Sequence, residues 1–365
     1  MALEGTQEAA LVLGFPGRFA VALALQLLSF RPRAIVYVLV PPGAGGAGAL
    51  SRSEFSRHWQ RVRCLEGDVQ ALDFGLSATE YRELTDGVRA VHHCEGISEV
   101  GQGRASARDG KAGTRLVASM QEVLAFCQAA QCLESLIVYS SLAVSGTYSG
   151  VFAEADLNVG QRFDSAHDEG LAISEQMVRA QGSAVPATIL RVGELVLDTE
   201  LSVESHESAL FMLLTETVRS ASAFHVPMNV RGDELFHLTP MSYVIRAGLF
   251  LAGNTSAHGN TLHLIEPRAL SVREVLTRAA EVAGRPAPIF GSTSGNWLSS
   301  LRFGSEARAE RAALKKLKPG LRYGTEVAER LLASAGLACP AFASYLDILV
   351  QGLSTETVAG QPNAS

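Results

Sequence analysis

The residues best suited to chemistry sit between Leu136 and Leu195. The apolar run LIVYSSLAVSG (Leu136 to Gly146) contains two adjacent hydroxyls, and the second, Ser141, stands where a strand would deliver a polar group to a cleft. FDSAHDEGLAISEQMVRA (Phe163 to Ala180) begins acidic and continues with helical spacing, placing His167 near the helix start and Leu171 one turn later. A further strand-like run, ATILRVGEL (Ala187 to Leu195), carries Arg191 shortly before Gly193. A serine hydroxyl can hydrogen-bond a reacting oxygen, and an imidazolium, with an ordinary pKa near 6.5, can donate a proton at neutral pH. The carboxylates of Asp164, Asp168 and Glu169 surround His167 in sequence. The plainer alternative is a histidine at a helix start in a solvated acidic loop.

The elements that must position these groups alternate along the chain. Ala10 to Leu13 reads as a strand, GFPGRFA as a glycine turn, and the apolar stretch to about Phe30 as a helix. Gly14, Gly17 and Ala20 form GxxGxxA, a variant of the dinucleotide-binding turn. Small residues there let the backbone approach a pyrophosphate at the helix N-terminus, where unpaired N–H groups and the helix dipole favour anions. The second strand, Arg33 to Val40, runs into PPGAGGAGA, with neither an acid for a ribose hydroxyl nor an arginine for a 2′-phosphate. Arg52, Arg57, Arg61 and Arg63 follow later, where either a 2′-phosphate contact or a solvated face fits. A third strand leads to Gly67 and Asp68, and a fourth, AVHHCEG, ends near Glu95, whose carboxylate would repel a diphosphate unless protonated or paired.

Composition narrows the classes. The 365 residues are 47% apolar and 19% charged, enough to bury a large α/β core with an appended subdomain. The net charge of −6 and pI near 5.9 argue against nucleic acid or an anionic membrane surface as partner. Five scattered cysteines do not make a disulfide framework, and Cys127 and Cys132 lack zinc-ligand spacing, so no metal is expected. The N-terminus lacks the basic start of a signal peptide, and no long apolar span is present, so a cytoplasmic location is expected.

Taken together, the Ser141 strand, the His167 helix and the Arg191-Val192-Gly193 turn resemble the catalytic half of the extended short-chain dehydrogenase/reductase superfamily, in particular its thioester-reductase-like (male-sterility type) branch. The likeness extends over nearly the whole chain: Gly67-Asp68 with the following FGLS, Gly113-Thr114 of an Asn-x-x-Gly-Thr helix, and Thr239 to Val244, where Ser242 replaces an Asp. In that family the helix carries Tyr-x-x-x-Lys. The tyrosine protonates the developing alkoxide, and the lysine lowers its pKa and holds the nicotinamide ribose. These positions read His167 and Leu171, the Asn position reads Gly110, and no Tyr-x-x-x-Lys occurs anywhere in the chain. Of the Asn-Ser-Tyr-Lys set only Ser141 remains.

The resemblance implies an α/β fold: a Rossmann-like doubly wound parallel sheet with a smaller, mostly helical C-terminal substrate subdomain. The implied division is residues 1–200 for the nucleotide-binding domain, with returning segments from about 236–266, and 201–235 with 267–365 for the subdomain. NADP or NAD is the implied cofactor, held by Gly14, Gly17, Ala20, Asp68 and Arg191, with binding expected to be weakened or lost. Implied partners are a small-molecule or acyl-thioester ligand, an acyl or peptidyl carrier protein, and a second copy of the chain. Three functions follow: a ligand-binding or regulatory protein of a biosynthetic or lipid pathway that no longer transfers hydride; an NAD(P)H-dependent reductase of a thioester or carbonyl with His167 as acid; or a redox-independent Dieckmann-type cyclase acting on a carrier-bound thioester through Ser141 and His167.

Overall fold

A computed structural model of the protein describes residues 8–42, 55, 57–98, 111–196, 209–226, 230–268, 270–291 and 320–359. Gly110, Arg52, the glycine-rich loop beyond Pro42 and the basic segment 302–318 lie outside the described residues.

In chain order the first elements are β1 (Ala9–Leu13), α1 (Arg18–Phe30), β2 (Ile35–Val40), β3 (Val62–Glu66), α2 (Ala78–Gly87), β4 (Val88–His93), α3 (Glu95–Ser98), α4 (Ala112–Ala129) and β5 (Ser135–Ser141). There follow β6 (Gly150–Phe152), α5 (Ala166–Ala180), β7 (Ala187–Val192), β8 (Glu194–Val196), α6 (Ala209–Arg219), β9 (Leu235–Phe236), β10 (Leu238–Pro240) and α7 (Met241–Ala252). The last are β11 (Thr261–Leu264), β12 (Leu270–Ser271), α8 (Val272–Val282), β13 (Leu321–Tyr323), α9 (Glu326–Ala333) and α10 (Leu346–Ala359).

Seven strands form one parallel sheet in the order β11-β7-β5-β4-β1-β2-β3. Strands covered on both faces need near-continuous apolar sequence, and every residue of β1 and β7 is buried. One face packs against α1 and α7, through Phe19, Leu23 and Leu27 on one helix and Val244, Ala247 and Leu251 on the other. The opposite face packs against α4 through Met120, Val123 and Phe126. Helices α4 and α5 cross where Gly113 meets Gly170: a Cβ on Gly170 would lie 2.5 Å from the Gly113 Cα, so neither position has room for a side chain. This is the fold class expected from sequence.

Several boundaries differ from the sequence reading. The fourth strand ends at His93, and Glu95 opens a short helix instead of closing the strand. The run Ala187 to Leu195 divides at Gly193: β7 stays in the main sheet, while β8 leaves it to pair with β10. A Cβ on Gly193 would lie 2.3 Å from the His237 carbonyl oxygen, so the redirected chain passes hard against that backbone. A second core joins α6, α8 and α10 through Leu214, Val275, Leu276, Leu349 and Leu353. The chain beyond residue 267 serves both cores, because Ala328 and Leu332 of α9 pack into the first. Glu154 fixes this return by accepting hydrogen bonds from the Val327 and Ala328 amides at the start of α9 and from His263 N.

Candidate functional site

In a doubly wound sheet, ligands bind beyond the C-terminal strand ends, at the point where strand order reverses. That point here lies between β1 and β4, whose ends are joined by the Cys94 amide donating to the Leu13 carbonyl at 3.1 Å. Gly14 follows β1 with φ at 105°, in the region open to glycine, and Gly17 caps α1 with its backbone alone. The first turn of α1 carries no acidic residue and no side-chain cap, leaving it suited to an anion. Ala20 is fully buried in the helix–sheet contact, the place where a small residue permits close packing.

The adjoining edge is also preformed. Gly67 N donates to the Val40 carbonyl, and a Cβ on Gly67 would meet the Phe74 oxygen at 2.4 Å. Asp68 is exposed, and its Oδ1 accepts from Gln70 N at 2.9 Å, forming a tight turn. Asp73 and Phe74 both adopt positive φ, 52° and 59°, which is costly for side-chain-bearing residues. Burial of the Phe74 ring against Phe126 and Tyr81 holds that turn. Two of the later arginines bond to backbone: Arg61 donates to the carbonyls of Leu28, Arg31 and Ala34 at the far end of α1, and Arg63 to that of Gln60. Glu95 is half-buried in the first turn of α3, just past the end of β4.

On the other side of the crevice, Ser141 ends β5, opposite Val192 of β7, and its hydroxyl accepts from Ala143 N at 3.2 Å. The 3-10 turn that follows (Leu142–Ser145) packs against α5. Ser165 caps α5 by accepting from Asp168 N, and His167 Nδ1 lies 3.4 Å from Asp168 Oδ1. The His167 side chain keeps 22% of its surface exposed. Leu171 differs in kind. It is 3% exposed, within an apolar cluster that includes Leu116, Val144, Phe152 and Leu157. A Cβ on Gly96 would lie 2.9 Å from Leu171 Cδ2, so the leucine also occupies the space beside α3.

The polar network one turn further along α5 was not foreseen from sequence. Glu175 is 1% exposed and accepts from Ser140 Oγ at 2.6 Å and from Arg191 Nε and Nη2 at 3.0 and 2.7 Å. Arg191 is fully buried: Nη2 also donates to the Asp156 carbonyl, Nη1 meets His263 Nε2 at 3.1 Å, and the guanidinium covers the Phe152 ring. Its side chain thus ties β7 to α5. Contact with a cofactor from this turn would have to come from backbone at Val192 and Gly193. His263 Nδ1 lies 2.7 Å from the Gly324 carbonyl, which can only accept, so Nδ1 carries the proton and Nε2 accepts from Arg191. Burial, reinforced by the Arg191 charge, pulls the His263 pKa down to about 3 and keeps the ring neutral. Beside this network, Tyr323 Oη lies 2.9 Å from Ser145 Oγ, and burial pushes its pKa up to about 12. The sequence signal available for the network was an arginine set between Leu190 and Val192; Glu175, flanked by Ser174 and Gln176, gave none.

A nicotinamide dinucleotide can be tested against these groups. The adenosine and diphosphate half fits the Gly14–Gly17 turn, the start of α1 and the Gly67–Asp68 edge. The nicotinamide–ribose half does not fit, because an aliphatic side chain packed among apolar neighbours offers no hydrogen bond at position 171. Among the described residues no group of three or more His, Cys, Asp or Glu could hold a metal ion, and no helix is long and apolar enough to cross a membrane.

The sheet order, the glycine turn and the β5–α5–β7 unit define an extended short-chain dehydrogenase/reductase of the thioester-reductase-like kind. More narrowly, the NAD-binding family described as male sterility protein matches residues 14–248, and the chain belongs to that family. Among solved structures it is similar to the terminal R domain from the myxalamid PKS-NRPS biosynthetic pathway, at 20% identity and TM-score 0.74, covering 99% of this chain and 94% of that one. The aureusimine biosynthetic cluster reductase domain aligns at 16% identity and TM-score 0.71, covering 97% and 92%. A thiolation-reductase di-domain from an archaeal non-ribosomal peptide synthetase aligns at 15% and 0.73, covering 96% of this chain and 76% of that chain. No curated protein sequence matches the chain.

Proposed function

We propose that this protein binds a small-molecule or acyl-thioester ligand in a biosynthetic or lipid pathway, as a binding or regulatory member of its family that does not transfer hydride. One observation carries the reading: Leu171, where the family places its lysine, is a packed apolar residue 3% exposed. Without an ammonium at position 171, that residue cannot lower the pKa of a proton donor or hold the nicotinamide ribose. The thioester character of the ligand rests on the family and on the R and reductase domains of similar fold, one of which is joined to a thiolation domain. An acyl or peptidyl carrier protein is the corresponding partner.

A second reading is favoured by His167, which stands at the start of α5 beside the Asp168 carboxylate and keeps part of its surface open. In that reading the imidazolium replaces the tyrosine as acid in reduction of a thioester or carbonyl. Incubating the purified chain with NADPH or NADH and acyl-pantetheine thioesters, while following absorbance of the reduced nicotinamide, separates the two. Oxidation at background rate is expected. Turnover that disappears in His167→Phe, with the protein still folded, would replace the first reading by the second.

A further inference from the structure

At the opposite end of the sheet from Gly14, the N-terminal ends of β1, β4 and β5 open onto a cavity of about 510 Å³, within the range of small-molecule sites. Its walls are the last turns of α1 and α7, with Leu27 and Phe30 from one and Leu249 and Phe250 from the other. Phe30 lines the cavity and is 57% exposed.

Two polar features give the cavity a chemical character. The first is Ser135, which lines it and opens β5 opposite Ala90. Strand alternation sets Ser135 on the same face as Ile137 and Tyr139, the face that α1 and α7 cover. Ser135 is 0% exposed, and its hydroxyl has no hydrogen-bond partner. Native proteins rarely leave such a group unsatisfied. The second is charge. Arg31 pairs with Glu8 at 2.7 Å and Arg89 pairs with Glu134, all four lining the cavity. Arg246, exposed on α7, has no ion pair or hydrogen bond among the described residues. Three guanidiniums against two carboxylates leave one positive charge.

We propose that this cavity is a second ligand site, taking a monoanionic carboxylic acid with an apolar body the size of an aromatic ring. The carboxylate meets Arg246, the ring lies between Leu27, Phe30, Leu249 and Phe250, and a hydroxyl at the far end pairs with Ser135 Oγ. A monoanion matches the single unpaired charge, whereas a phosphate dianion would leave an excess charge beside Glu8 and Glu134. The site shares none of these residues with the crevice at Gly14, so its occupancy does not depend on the function proposed there.

Calorimetric titration of the full chain with 3-(4-hydroxyphenyl)propanoate, 3-phenylpropanoate and 4-ethylphenol tests the assignment. The hydroxylated acid is expected to bind best and 4-ethylphenol, without the carboxylate, about tenfold more weakly or worse, as for one lost charge-assisted contact. Arg246→Ala, at an exposed position that leaves the core intact, should bring both acids to the level of 4-ethylphenol. Ser135→Ala should erase the difference between the two acids. Absence of binding by either acid at millimolar concentration, or affinities unchanged in Arg246→Ala, would overturn the proposal. A normal unfolding transition for each variant establishes that lost binding is not lost folding.

Discussion

Helix α5 carries two different histories on one face. Its first turns hold His167 and Leu171, where the family's chemistry resides; its last turns hold Glu175 and Arg179, where the framework is tied together. The framework end is polar and satisfied. Glu175 binds Ser140 and Arg191, while Arg179 donates to the Ala155 and Glu154 carbonyls and to Thr261 Oγ1. At the chemical end the lysine position has become apolar and has been absorbed into a core. A buried ion pair cannot lose one partner cheaply, because the survivor is left charged and unpaired. A residue that serves only a cofactor carries no such penalty. The framework contacts are therefore retained whether or not the first turns of α5 keep the family's chemistry.

The largest expected effect breaks the framework end. Arg191→Ala strands the Glu175 carboxylate in the interior and should cost about 3–5 kcal/mol by denaturant titration. The double variant Arg191→Met with Glu175→Gln should recover much of this; an equal loss in both would mean that the pairing is not what holds β7 to α5. At the other end, Leu171→Ala should cost about 2–5 kcal/mol, as for a truncated core leucine. Leu171→Lys should destabilise as well, since the cluster around it is apolar and burial opposes an ammonium's charge. A stability change below about 0.5 kcal/mol for either would show position 171 to be solvated and not part of a packed core.

A pH titration sharpens the same contrast. Burial holds His92, His93 and His237 at a pKa of about 4 and His263 at about 3. In the unfolded chain each binds a proton near pH 6.5, so below that pH the unfolded state holds more protons. The histidine contribution should therefore be level above pH 6.5 and fall as the pH drops from 6.5 towards 4. Glu154 and Glu266, whose carboxyls burial raises above the ordinary range, oppose the trend from their raised pKa down to about pH 4.5. A denaturant midpoint that stays constant from pH 7.5 to 5 would contradict the buried neutral histidines. The smallest effect is at Asp68: Asp68→Ala removes one exposed turn hydrogen bond and should cost no more than about 1 kcal/mol, while weakening any adenosine ligand.

What was legible in sequence follows the range of the interactions. The glycine turn, the strand–helix alternation and the loss of the Tyr-x-x-x-Lys pair are local patterns, and the seven-stranded parallel sheet accords with them. The Glu175–Arg191–Ser140 contact joins residues 16 and 35 positions apart, and no spacing rule announces it. The neighbours Val192 and Gly193 place Arg191 beside the cofactor turn in sequence; strand β7, buried along its whole length, turns its side chain into the framework. Leu171 was legible as a missing lysine, but not as a member of a packed cluster, because Leu116, Val144, Phe152 and Leu157 come from four separate segments. The cavity beneath the sheet had no sequence signature, since it is made by three strand ends and two helix ends.

If the crevice keeps the adenosine–diphosphate half of a dinucleotide site and has lost the nicotinamide half, as proposed, the nicotinamide adds nothing to binding. Calorimetric comparison of NADH with ADP, and of NADPH with 2′-phospho-ADP, tests it most directly. The full dinucleotides are predicted to bind no more tightly than the matching fragments. Binding of NADH or NADPH tenfold or more tighter than its fragment, a gain of about 1.4 kcal/mol, would show that the nicotinamide half is still held and would contradict the account.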